Sequence, residues 1–166
     1  MTCPAAQYLA RAPESLVIGG YRQMLIASTG ECPAIDMMWQ LHLERLGVAE
    51  SRVVIDGLSM FMATMRRAAC LPLRCLPEGT CHLCRDECLV LSLIAGLQHG
   101  DEVASRISAD ALSAPGRIGE AIGAAGDYAM RLKMFGQVLL PIPPLVVADI
   151  LAGPPRPEPA HSNTLH

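Results

Sequence analysis

The chain has 166 residues, of which 51% are hydrophobic, 17% charged and 4% aromatic, with a net charge of −3 and a pI near 5.9. That length sets one domain around one core. The mildly acidic balance excludes the basic face on which nucleic-acid binders rely, and no window reaches the roughly 18 apolar residues of a membrane span. With so few rings, the core falls to Leu, Ile, Val, Ala and nine Met, a composition that suits packed helices better than strands.

Residues 1–12 show neither the basic start nor the apolar segment of a signal peptide, so a cytoplasmic location is expected. Pro13 and Glu14 suit a first helical turn, and a helix is predicted from there to about Ser28, weakened by Gly19-Gly20. Pro33 opens a second, in which Ile35, Met38, Trp39, His42 and Leu46 share a face and Gly47 supplies the stop. His42 on that face reads as a structural histidine. A third helix is expected from Ser51, as N-cap, to about Cys70, with Val54, Leu58, Phe61, Met62, Met65 and Ala69 on one stripe. Its methionines read as core filler and Arg66-Arg67 as a solvated cationic end.

Pro72, Pro77 and Gly79 punctuate a connection, after which Thr80 is the expected N-cap of a helix running to about His99. Asp86-Glu87 suit the positive start of that helix without catalysis. Gly100 closes it, and Asp101 caps the next, through Val103, Ile107 and Leu112. The sixth helix, about Pro115 to Phe135, carries Ile118, Ile122, Ala125, Ala129 and Leu132 on one face. Gly119 and Gly123 leave a groove there for close helix approach, within the chain or at a homo-oligomer seam. Beyond Gly136, prolines enforce an extended strap, with a short helix over 145–151 and a polyproline-like tail after it. His161 and His166 in that tail look incidental.

Seven cysteines cannot all pair, and in a reducing compartment they are thiols, metal ligands or redox groups. Five fall between residues 70 and 88. Cys81-His82-Leu83-Cys84 is a C-x-x-C knuckle, and with Cys75 and Cys88 it forms a candidate four-thiolate zinc set. Along one regular helix Cys81 and Cys88 would stand about 10.5 Å apart, whereas zinc needs sulfurs about 4 Å from one another. A zinc site therefore requires the helix to begin near Cys84. The same knuckle at a helix start serves as a dithiol, Cys81 and Cys84 being the catalytic pair of a thiol oxidoreductase. It resembles, over eight residues, the C-x-x-C-x-x-x-His motif of the AhpD-like alkylhydroperoxidase family, which is all-helical and works by thiol relay. Cys88 occupies the place of that family's histidine, and Ala69 stands where an upstream acid is expected. A third reading is packing: Cys84, Cys88, Leu91 and Ala95 fall at helical spacing as small core residues.

The expectation is an all-α single domain, an irregular or orthogonal bundle of about six helices over 13–136. An N-terminal segment, 1–12, precedes it, and a largely disordered Pro-rich tail, 137–166, follows. The expected function is that of a cytoplasmic, non-enzymatic accessory or regulatory protein acting on a protein partner, with or without zinc on Cys75, Cys81, Cys84 and Cys88. A thiol peroxidase-like enzyme is the alternative.

Overall fold

A computed structural model describes residues 4–28, 30 and 32–153. Among them the chain is all-α, with eight helices and no strand. These are α1 (Pro4–Leu9), α2 (Ala12–Ala27), α3 (Cys32–Leu46), α4 (Val48–Ala68), α5 (Arg85–His99), α6 (Glu102–Leu112), α7 (Ile118–Met134) and α8 (Pro144–Ala152). Six correspond to the expected bundle helices; α8, against α5 and α6, is the short helix expected over 145–151, and α1, against α2, lies in the expected N-terminal segment. The tail from 154 onward, with His161 and His166, lies outside the described residues.

The helix at the centre is α5. Every residue from Leu89 to Gly96 is buried, so it is apolar all round, the signature of a helix with neighbours on every side. It packs against α2, α6, α7 and α8. On the other side of the core α4 lies along α7, where the Phe61 and Tyr128 rings stack with centroids 5.8 Å apart. The expected stripe of α4 is buried through Val54, Leu58, Phe61, Met62 and Met65.

Two boundaries and one buried face differ from expectation for identifiable reasons. Ser51 is buried inside α4 rather than capping it; Gly47, at φ 85°, turns the chain directly from α3 into α4. In α3 the buried face runs through Ala34, Met38 and His42, leaving Ile35 46% exposed. Most consequentially, α5 starts at Arg85, not after Thr80. Arg22 holds the carbonyls of Thr80 and His82, and Glu87 accepts the Cys84 N–H at 2.8 Å, closing a capping box that fixes the helix start.

Gly19 and Gly20, which weakened the prediction of α2, are where its neighbours come closest. A Cβ on Gly19 would lie 2.5 Å from Leu41 Cδ2, and one on Gly20 2.8 Å from Leu58 Cδ2. Glycine here lets α3 and α4 approach α2, and that packing outweighs its poor helix propensity.

The buried body also extends past Gly136. Leu139 and Val147 are buried, and the strap is tied down by polar groups. Gln98 donates to the carbonyls of Ala129 and Gln137 and accepts the Leu139 N–H. Glu14, expected only as a first-turn acid, is buried and accepts the Leu140 N–H at 2.8 Å.

Candidate functional site

Residues 69–84 form the long irregular connection between α4 and α5, and a buried ion pair organises it. Arg22 of α2 and Glu87 of α5 are both almost fully buried. The Arg22 Nε–H donates to Glu87 Oε1 at 2.6 Å and one Nη2 N–H to Oε2 at 3.3 Å. The remaining capacity of both groups is turned on the loop. Arg22 donates to the carbonyls of Thr80 (3.1 Å) and His82 (2.9 Å), and Glu87 accepts the N–H groups of Leu76 (3.1 Å) and Cys84 (2.8 Å). Two further anchors complete the frame: the Tyr21 hydroxyl donates to Arg74 O, and Asp86 accepts the Arg74 N–H. Gln23 donates to the Glu78 carboxylate. Buried charges endure only when paired and fully hydrogen-bonded, and the loop supplies those partners.

This hub was not among the sequence-derived candidates. Its trace was there: Arg22 interrupts the apolar run of α2, and Glu87 stands three residues after Cys84, the spacing of a capping box.

The frame disperses the cysteines. Cys81 is exposed, as is Cys70, while Cys75, Cys84 and Cys88 are partly buried. The Cys84 thiol donates to Arg74 O at 3.5 Å, and Cys88 lines a groove with Leu83, Leu91 and Ile150. The helix begins where a zinc site would need it, yet among the described residues no three His, Cys, Asp or Glu side chains converge as a set able to hold a metal ion. Cys75, Cys81, Cys84 and Cys88 are therefore not assembled as a ligand set.

The surroundings also favour protonated thiols. Burial pushes Cys84 up to about 12, with the Glu87 and Asp86 carboxylates adding to the rise and backbone hydrogen bonds opposing it. Burial and then Glu87 push Cys88 up to about 11, and Cys75 is raised by the same two causes in the same order. Cys81 borders a cleft of about 390 Å³ between α1, α2 and the loop, lined also by Leu9, Ile18, Leu41 and Glu78.

His42 is fully buried, with Nδ1 2.8 Å from Met38 O and, among the described residues, no partner at Nε2. Burial holds its imidazolium form down, in keeping with the structural histidine expected.

Two of the uncovered surfaces among the described residues bear on function. Around Cys88 the groove, about 160 Å³, is lined by Tyr8, Leu83, Leu91, Ile142, Val146 and Ile150 and is almost wholly apolar. Beside it Leu145 and Val146 of α8 are 79% and 45% exposed and Leu140 of the strap 40%. The second surface is the outer face of α7. Among the described residues, a Cβ on Gly119 or Gly123 would touch nothing within 4 Å.

No protein-family model matches the chain, and neither a curated protein nor a solved structure matches it. Among the described residues no helix is long and apolar enough to cross a membrane.

Proposed function

We propose that this is a small cytoplasmic, non-enzymatic accessory or regulatory protein that acts by binding another protein. The observation that carries this reading is the uncovered apolar surface of α8. Of its nine residues only Val147 is buried, while Leu145 and Val146 stand in solvent beside the apolar groove under Ile142 and Ile150. Contiguous exposed apolar surface rimming a groove marks a place where another protein sits. The open Gly119/Gly123 face of α7 would serve self-association. The proposed role needs no metal.

The test is a photo-crosslinking residue placed at Leu145 in living cells, with the same residue at exposed Asp56 as control. The expected result is one dominant adduct at 145, reconstituted with the purified partner and abolished by Val146→Asp in a chain that keeps its thermal midpoint. Adducts no different from those at 56 would overturn it.

A thiol oxidoreductase using Cys81 and Cys84 is the second reading, favoured by the exposure of Cys81 at the rim of the cleft. The elevated Cys84 weighs against it, because thiolate is the reactive form. Peroxide consumption driven by a dithiol reductant and lost in Cys81→Ser would establish it; the absence of turnover would remove it.

A further inference from the structure

We propose that residues 141–152, which carry α8, form a lid that opens as a unit about the junction of Leu140 and Pro141 while the strap before it stays docked. The inference concerns the chain alone and goes beyond the reading of α8 as a docking surface.

The hinge is defined by where the hydrogen bonds stop. Gln98 donates to Gln137 O at 2.9 Å and accepts the Leu139 N–H at 2.8 Å. The next peptide unit is gripped from both edges, since His99 Nε2 donates to Leu139 O at 2.7 Å and Glu14 accepts the Leu140 N–H at 2.8 Å. Two helices, α2 and α5, thus pin one peptide. Beyond it, among the described residues, no hydrogen bond joins 141–152 to another element. The bonds that start α8 run from the Val146 and Val147 N–H groups to Pro143 O, inside the segment itself. Pro141, Pro143 and Pro144 have no N–H to satisfy, so the segment can swing outward without breaking a hydrogen bond.

What holds the lid shut is apolar and small. Val147 is the one buried side chain of α8, with Ile142, Ile150 and Leu151 packed part-buried against the core. Even this joint is incompletely filled. Ile142, Val146 and Ile150 line the groove of about 160 Å³ from the lid, and Leu83, Cys88 and Leu91 line it from the body, so the seam lacks part of its dispersion contact. A segment with few buried side chains and no bonds across its boundary opens at less cost than the whole fold. Opening bares Cys88 and Leu91, an apolar face of α5 that the closed chain keeps covered.

Native-state amide exchange of the full chain, resolved by residue, tests this. The amides of 148–152 should exchange together, about tenfold or more ahead of those of 91–95, while the Leu139 and Leu140 amides stay protected with the core. Alkylation of Cys88 gives a second readout. Val147→Ala, which trims the one buried side chain of the lid, should speed that alkylation about tenfold and leave Cys84, whose thiol is bonded to Arg74 O, unchanged. Fraying of α8 in place would free its amides without this response at Cys88. Exchange of 148–152 only in step with 91–95 overturns the proposal, as does loss of the Leu139 and Leu140 amides as early as those of α8, or a Cys88 indifferent to Val147→Ala. The exchange measurement uses the parent chain, so it decides the matter even where the variant fails to fold.

Discussion

Arg22 and Glu87 are 65 residues apart in the chain and 2.6 Å apart in space, and between them they hold the backbone of Leu76, Thr80, His82 and Cys84 to the helical body. The pair joins α2, α5 and the irregular loop at one point.

Breaking that pair from one side leaves a buried charge and strands loop amides and carbonyls at once. Glu87→Gln or Arg22→Met should destabilise the fold by about 3–5 kcal/mol, read as a lower urea midpoint. The loop should loosen before the helices do, so protease cleavage within 71–83 should accelerate in the variants under native conditions. A variant with unchanged midpoint and unchanged cleavage would show that the pair does not hold the loop.

The thiols should sort by position. With iodoacetamide at neutral pH, exposed Cys70 and Cys81 should label first, while Cys84 and Cys88, held near 12 and 11, should label only at the rate of opening. The linkage has a definite sign. The unfolded chain loses these protons from pH 9.0 and the folded chain holds them, so stability is full below pH 9.0 and falls as pH climbs toward 11–12. Prompt native labelling of Cys84 would contradict the placement.

At the other end of the pH scale His42 should dominate. Its folded-state pKa is below 6.5, first because of burial, with the Met38 carbonyl opposing the shift. As pH drops below 6.5 the unfolded chain binds a proton that the folded chain refuses, so stability falls with acidification until the lowered pKa is passed. His42→Leu should flatten the denaturation midpoint between pH 7 and 5 relative to the parent, as judged by urea titration at each pH. Parallel curves for the two proteins would rule this out.

How far the sequence discloses the fold differs from element to element. The stripe on α4 and the Asp101 cap of α6 are local patterns, 3.6-residue periodicity and a carboxylate three residues before an N–H, so they are legible without tertiary knowledge. The start of α5 is only half legible: the Cys84/Glu87 capping-box spacing is local, but Arg22, which holds the carbonyls of residues 80 and 82, reaches them from another helix. The cysteine spacing invited zinc because sequence reports separations along the chain, whereas ligation depends on where side chains point. Here Cys81 faces solvent, Cys84 is bound to Arg74 O and Cys88 belongs to the groove. Uncovered surfaces such as α8 are equally invisible beforehand, since exposure is a property of what fails to pack.

Tyr128 carries a hydroxyl that the core does not use. The residue is fully buried and stacks on Phe61, yet its oxygen has no hydrogen-bond partner among the described residues. Burying an unpaired hydroxyl costs about 1–3 kcal/mol. Tyr128→Phe, which keeps the ring and the stacking, should therefore raise the thermal midpoint or leave it unchanged. A loss of stability would reveal a partner for the hydroxyl.

Two sets of glycines should respond oppositely to the same substitution. On the open face of α7, Gly119→Ala and Gly123→Ala place a methyl in free space, so each should stabilise the monomer by about 0.5–1 kcal/mol through lower backbone entropy in the unfolded chain. At Gly96 in α5 the added Cβ would lie 2.5 Å from Ser105 Oγ, 3.1 Å from Ser105 N and 3.2 Å from Asp101 O. Two of these are backbone atoms at the α5–α6 turn, so relief requires α6 to shift, and Gly96→Ala should destabilise by about 1–3 kcal/mol. Urea unfolding at a concentration low enough to keep the chain monomeric isolates these effects from association. A stabilising Gly96→Ala would mean that α6 is not seated on α5 as described, and a destabilising Gly123→Ala would mean that the outer face of α7 is covered even in the monomer.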